Sequence, residues 1–175
     1  MTQQKGIDFS KLTLKDALDL AILIEEEAHD RYSEFVDQME IHHTPEAAHF
    51  FRTMAKNEAR HKAELTERRR VLFQDEASGV DRSMLWDVEA PDYDKTRAFM
   101  SVRQCMTVAL ECEIKAHDFF EAALEHIENP AVQKLFKELR EEEVLHQTLV
   151  RKEMNLLPQT SDVDPDDYAD EPVAQ

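Results

Sequence analysis

The sequence contains little glycine, little cysteine and no long apolar run. Only two of its 175 residues are glycine, whereas turn-rich β sandwiches and barrels need glycine for backbone conformations with positive φ. The two cysteines, Cys105 and Cys112, are about two helical turns apart, too far for a disulfide. No cysteines have the C-x-x-C spacing of thiolate metal sites. These absences favour an all-α protein with reduced thiols.

Positive charge is also scarce. The chain has 21 Lys and Arg against 38 Asp and Glu, a net charge of −17, and this excess repels phosphate, which argues against a nucleic-acid partner. No apolar run reaches the ~18–20 residues that cross a bilayer. Residues 1–10 have neither the basic start nor the apolar centre of a signal peptide. We therefore expect a cytoplasmic protein with no membrane contact.

Apolar residues recur at helical spacing in four long stretches of the sequence. These stretches are residues 13–40, 44–73, 96–128 and 129–157. Thr44 and Asn129 each precede a proline, which is typical of a capping residue followed by the first residue of a helix. The loops after the first and third stretches are short, so the sequence predicts two antiparallel helical hairpins.

The two hairpins are predicted to form one domain. The irregular residues 74–95 are long enough to cross the bundle and join the hairpins. We therefore expect a four-helix bundle over residues 1–157. Residues 158–175 contain six acidic residues and no basic one, and this composition predicts a disordered acidic tail.

One face of each predicted helix should line the bundle axis. Most residues on these faces are apolar, Leu65 and Leu72 among them, and are predicted to form the core. The exceptions near the middle of the helices are Tyr32 and six further side chains. These six are Glu25, Glu58, His61, Glu113, Glu143 and His146.

Four buried carboxylates need compensating positive charge, because an unpaired buried carboxylate costs several kcal/mol. Two divalent cations would offset the four negative charges, and the two imidazoles would complete the site. Carboxylates together with imidazoles suit Fe or Mn. The sequence therefore predicts a site for two metal ions inside the bundle.

An internal repeat supports this site. Residues 25–32 and 113–120 share Glu, Ala-His-Asp and an aromatic residue in register. A Glu-x-x-His pair at positions 58 and 61 recurs at 143 and 146, with Pro and Phe at matching positions before each pair. Glu-x-x-His occurs five times in the chain, but only these two pairs lie on predicted buried faces. The two hairpins are predicted to be copies of one unit.

These residues resemble the ferritin-like di-iron carboxylate proteins, in which two helices provide one Glu each and two provide Glu-x-x-His. Within that class the chain is most similar to the rubrerythrin and erythrin branch, because Glu25, Ala28, Arg31 and Tyr32 follow its E-x-x-A-x-x-R-Y helix. The resemblance covers residues 13–157 and implies a ferritin-like four-helix bundle.

The resemblance also implies a cofactor of two Fe ions, with Mn as the other metal considered. It assigns bridging roles to Glu58 and Glu143, terminal roles to Glu25 and Glu113, and one metal each to His61 and His146. The implied activity is reduction of hydrogen peroxide, or of dioxygen, at a di-ferrous centre. Tyr32 or a nearby His is a candidate catalytic proton donor. His29 and His117 each lie four positions after a terminal Glu. They are candidates for side chains that hydrogen-bond to the ligands, for alternative ligands or for histidines of helix interfaces.

Two features depart from the family pattern. Rubrerythrins have another Glu one turn from the first on the third helix, where this sequence has Leu110 and Ala116. They often carry a rubredoxin domain, and none is recognisable in this sequence. A peroxidase would then need an external, rubredoxin-like electron donor. We also expect a homodimer, in which Trp86 of the crossover could cover a partner.

Two other functions remain open at this point. One is a ferroxidase or iron-storage protein of the ferritin or bacterioferritin type, because the acidic surface would attract ferrous ions. The other is a non-catalytic metal-binding or interaction module.

Overall fold

The structure, a computed structural model, describes residues 7–41, 43–80 and 101–158. In these ranges it contains four α-helices, one short 3-10 helix and no strand. The 3-10 helix is Phe9–Lys11, and the α-helices are α1 (Leu14–Ile41), α2 (Pro45–Phe73), α3 (Val102–Leu124) and α4 (Pro130–Met154). The predicted all-α class is confirmed.

The third helix is shorter than predicted, and its start shows why. Ser101 has an extended backbone, with φ −66° and ψ 160°, and its side chain accepts a hydrogen bond from the Gln104 amide. The Gln104 side chain in turn accepts one from the Ser101 amide at 2.8 Å. This capping box marks the N-terminus of α3, which begins at Val102. Residues 96–100, where the sequence predicts the start of this helix, lie outside the described part of the chain.

The two proline-started helices are capped differently. Asn129 accepts a hydrogen bond from the Ala131 amide at 2.9 Å, as the sequence predicts. The predicted side-chain cap of Thr44 is wrong, because its hydroxyl donates to the Met39 carbonyl at 3.0 Å and so faces the preceding helix. Both prolines occupy the start of their helices.

The helices pair as two hairpins, α1 with α2 and α3 with α4, and close backbone approach is concentrated within each pair. This confirms the predicted ferritin-like bundle of two hairpins. Residues 81–100, including Trp86, and residues 159–175 lie outside the described part of the chain. The predictions for most of the crossover and for the acidic tail therefore stay predictions.

The core consists of two apolar clusters. The Phe136 cluster includes Leu18, Ile24, Leu65, Phe120, Phe136 and Leu139. The Phe51 cluster includes Tyr32, Phe35, Phe51, Met54, Met106 and Val150. Along α4, Glu143 and His146 lie between Leu139 of the first cluster and Val150 of the second. On each of the other three helices the predicted ligands also lie between members of the two clusters, with the clusters in reverse order along α2 and α3, so a polar layer crosses the middle of the bundle.

The cysteines lie within the core and do not form a disulfide. Cys105 and Cys112 are reduced thiols, as predicted, and both are buried. Burial raises the pKa of the Cys105 thiol to about 12, so this thiol stays protonated at neutral pH and is a poor nucleophile.

None of the helices in the described ranges is long and apolar enough to cross a membrane.

Leu65 and Leu72 test the extent of the core with the same substitution at two positions of α2. Leu65 is 8% exposed, but Leu72 is 51% exposed in the last turn of α2, so its predicted core position is wrong. We expect Leu65→Ala to lower the free energy of unfolding by about 2–4 kcal/mol and Leu72→Ala to change it by about 0.5 kcal/mol or less. Urea unfolding of both variants measures this difference, and equal losses would contradict the boundary of the core.

Candidate metal centre

The polar layer contains all six residues that the sequence predicts as metal ligands. Each of them is buried, with exposures between 2% and 7%. Helices α1 and α3 contribute one Glu each, and α2 and α4 contribute a Glu and a His one turn apart. The six residues are Glu25, Glu58, His61, Glu113, Glu143 and His146.

The histidines define two halves of the centre, named here the His61 half and the His146 half. In the His61 half, the imidazole Nδ1 lies 3.6 Å from Glu25 Oε2. In the His146 half, Nδ1 lies 3.3 Å from Glu113 Oε2 and 3.8 Å from Glu143 Oε2. The two imidazoles stack, with ring centroids 5.4 Å apart and an interplanar angle of 11°.

Glu58 lies between the two halves. Its Oε2 is 4.0 Å from His61 Nδ1, and its Oε1 is 3.5 Å from His146 Nδ1. The two oxygens of one carboxylate therefore face different histidines. A carboxylate in this position has the geometry to bridge two ions.

The buried polar atoms of the centre fit a metal. In the described ranges, three buried side-chain atoms have no hydrogen-bond partner, and they are Glu58 Oε1, His61 Nδ1 and His146 Nδ1. Buried polar atoms almost always have a partner. Here all three unpartnered atoms are oxygen or nitrogen atoms of the polar layer that can bind a metal ion. A ligand set of carboxylates and imidazoles suits Fe or Mn.

The donor atoms form three groups within which all atoms lie within 4.8 Å of one another. These groups are Glu58 with His61 and His146, Glu113 with Glu143 and His146, and Glu25 with His61 and Glu142. Glu142 was not predicted from the sequence. It lies one position from the buried face of α4, and its side chain is 38% exposed. The sequence signal for it is the run of three glutamates at 141–143.

Without bound cations the centre holds protons. Burial raises the pKa of Glu58 well above its usual value, and the carboxylates of Glu25 and Glu113 add to this effect while His146 opposes it. Burial disfavours the charged form of His146, but the contact with the carboxylate of Glu113 outweighs burial and raises the pKa of His146 to about 9. Without metal, a proton on Glu58 thus removes a negative charge, and a proton on His146 supplies a positive one.

Glu113 has the opposite balance. Burial disfavours its charged form, but its contacts with His146, Glu143 and Tyr32 outweigh burial and lower the pKa of Glu113. This carboxylate therefore stays ionised beside the imidazole of His146.

Tyr32 connects α1 to the His146 half. It is fully buried, its hydroxyl donates to Glu113 Oε1, and its ring stacks on Phe51 with centroids 6.1 Å apart. Burial and the nearby carboxylates of Glu113 and Glu58 raise the pKa of Tyr32 well above 10. The phenol therefore stays protonated at neutral pH and remains a hydrogen-bond donor to Glu113.

His29 and His117 have partly exposed side chains and do not belong to the three donor groups. The Nδ1 atom of His29 is 3.2 Å from Asp30 Oδ1, and its side chain is 40% exposed. The Nδ1 atom of His117 is 3.0 Å from Asp118 Oδ1, and its side chain is 29% exposed. Each histidine thus contacts the next residue in its own helix, and the structure gives neither of them a contact with a predicted ligand.

The raised pKa of Glu58 leads to a prediction about the metal-free protein. Above the ordinary Glu value of 4.5, the folded state binds more protons than the unfolded state, so the free energy of unfolding falls as pH rises. Glu58→Gln removes this loss. At pH 7 in a chelator, we expect the melting temperature to rise by about 2–4 °C or more, the shift for ~1 kcal/mol in a chain of this length.

The control for this variant is Glu46→Gln, which changes an exposed carboxylate near the start of α2. We expect the gain from Glu58→Gln to shrink as the pH is lowered toward 4, where the carboxyl is protonated in both states. A melting temperature that is unchanged at pH 7 would contradict the assignment of a destabilising buried carboxyl.

Comparisons with known proteins agree with the geometry. The family model named Rubrerythrin matches residues 16–154, which include every predicted ligand and all of the four helices except the first two residues of α1. The crystal structure of an uncharacterized conserved protein from Magnetospirillum magnetotacticum is similar, with a TM-score of 0.71 and 28% identity over 85% of this chain and 97% of that chain. No curated protein matches the sequence significantly. The chain belongs to the rubrerythrin family.

Proposed function

We propose that this protein is a di-iron redox protein that reduces hydrogen peroxide, with dioxygen as a slower oxidant. The observation that carries the proposal is the pair of buried histidines, each with an unpartnered Nδ1 among carboxylates from all four helices. When bound, two ferrous ions supply one electron each, and these electrons with two protons convert one hydrogen peroxide into two water molecules.

The positions of the side chains and the sequence repeat support the proposed ligand roles. Glu58 would be a bridging carboxylate, because its two oxygens face His61 and His146. Glu143 would be the second bridge by its place in the sequence repeat. Glu25 would bind on the His61 side and Glu113 on the His146 side, next to the imidazoles that they contact. Iron is the proposed metal, with Mn as the alternative.

The surroundings of the centre restrict the oxidant to a small molecule. The six proposed ligands are at most 7% exposed, and apolar clusters cover the centre on both sides along the bundle. The Tyr32 hydroxyl donates a hydrogen bond to Glu113, which orients this carboxylate and keeps a proton beside the centre. We propose that this proton serves the reduction, so that Tyr32 acts as the proton donor.

The partners of this reaction are part of the proposal. The sequence contains no C-x-x-C pair that could hold a rubredoxin-type iron, so electrons would come from an external, rubredoxin-like donor. We also propose that the protein is a homodimer. Its mass in solution tests this proposal.

The ligand assignment predicts the effect of paired substitutions. We expect Glu58→Ala combined with Glu143→Ala to abolish binding of two metal ions per chain, because both bridging carboxylates are lost. The matched control is Glu26→Ala combined with Glu46→Ala. Glu26 pairs with Lys62 at 3.3 Å outside the centre, and Glu46 is exposed. Metal content after dialysis measures both variants, and two ions retained by the first would contradict the assignment.

The proposed activity predicts which oxidant reacts faster. Metal-free protein is titrated anaerobically with Fe(II), and the loaded protein is mixed with equal concentrations of peroxide or dioxygen while near-ultraviolet absorbance is recorded. We expect two Fe per chain and much faster oxidation by peroxide. Tyr32→Phe should keep both ions and react with peroxide about 100-fold more slowly, the lower range for loss of a proton donor.

A ferroxidase is the second candidate function, and the net charge of −17 favours it, because a negative surface raises the local concentration of cations. Oxidation by dioxygen as fast as by peroxide, together with uptake of further iron, would support it and overturn the peroxidase proposal.

A further inference from the structure

The two halves of the centre have the same ligands but different neighbours. Tyr32, whose hydroxyl contacts Glu113 in the His146 half, corresponds in the sequence repeat to Phe120, which has no hydroxyl. Glu142, in the donor group of the His61 half, corresponds to Asn57, which has no charge. Each half therefore has one polar group that the other half lacks.

The position of Glu142 relates it directly to His61. Its Oε2 lies 4.0 Å from His61 Nδ1, and the same nitrogen lies 3.6 Å from Glu25 Oε2. The donor atoms of these three residues all lie within 4.8 Å of one another. His61 is 7% exposed, and its Nδ1 has no hydrogen-bond partner. The buried Nδ1 atom of His61, a possible metal ligand, thus lies near two carboxylates that come from two other helices.

We propose that Glu142 is a seventh metal ligand, that it belongs to the His61 half, and that this half binds its cation more tightly than the His146 half. The inference rests on the proposed metal centre and deepens it. If Glu58 and Glu143 are shared, the His61 half has two carboxylates of its own, Glu25 and Glu142. The His146 half has one, Glu113, and a neutral phenol beside it.

The exposure of Glu142 also makes the His61 half more accessible to solvent than the His146 half. In the three donor groups, Glu142 is the one half-buried member, and all others are buried. A cation that arrives from solvent can meet this carboxylate before it loses its remaining water to Glu25 and His61. The His61 half therefore fills first.

Titration with Co(II) under anaerobic conditions tests this inference without using activity, because calorimetry and visible absorbance both follow binding of the metal alone. We expect wild-type protein to bind two ions in two resolved steps. Glu142→Gln should lower the affinity of the tighter step by about tenfold or more, because loss of a residue that only contacts a ligand already costs about tenfold. The affinity of the weaker step should stay unchanged. Glu142→Gln should also change the visible absorption bands that appear with the first equivalent of Co(II).

Two further variants complete the test. Glu141→Gln removes the same charge at the neighbouring, exposed position and should leave both steps unchanged. His61→Gln should abolish the step that Glu142→Gln weakens, which assigns that step to the His61 half. Circular dichroism establishes that each variant keeps its helices.

The outcomes separate this inference from the proposed function. Wild-type protein that does not bind two ions would overturn the proposed centre itself. Two wild-type steps with no change in Glu142→Gln would overturn the role of Glu142 alone. Equal weakening of both steps would show a general effect of charge and would also overturn it, as would loss of the weaker step in His61→Gln.

Discussion

The structure depends on how the interior neutralises four carboxylates. Glu25, Glu58, Glu113 and Glu143 come from four different helices and meet at one level of the bundle, where water cannot screen them. Such a layer is tolerated only with positive charge among the carboxylates, because the desolvation of each anion is expensive. Either bound cations or protons, such as the proton on His146, provide that charge. The apolar clusters on both sides then stabilise the helices that hold the layer together.

The sequence predicts this layer well because helical spacing and buried charge give independent signals. The bounds of α1 and α2 follow within about one residue from the apolar pattern and from Pro45. The six central residues stand out because acidic residues are rare on buried faces unless they are paired. The repeat of the Glu-x-x-His pair then separates these residues from the three other pairs with the same spacing, whose side chains lie on outer faces or beside the first turn.

The missed features have local or three-dimensional causes. The apolar pattern continues upstream of α3, but α3 begins at a capping box formed by Ser101 and Gln104, a signal that S-x-x-Q at 101–104 carries. Leu72 keeps the helical spacing after the bundle has ended, so periodicity alone assigns it to the core. Glu142 lies one position from the buried face, and only the length and direction of its side chain bring it to His61.

The pairing of helices has a consequence for how the bundle opens. Backbone packing is close within each hairpin and sparse between hairpins, where the contacts include Tyr32 with Glu113, the stacked histidines, and Arg68 with Glu138 at 3.0 Å. The first two of these contacts belong to the polar layer. A ligand that binds residues of both hairpins in this layer therefore holds the two hairpins together. The free energy needed to separate them increases with the concentration of that ligand. If the centre binds metal as proposed, amide protection at the boundary between hairpins increases with metal concentration more than protection in the interior of each hairpin does.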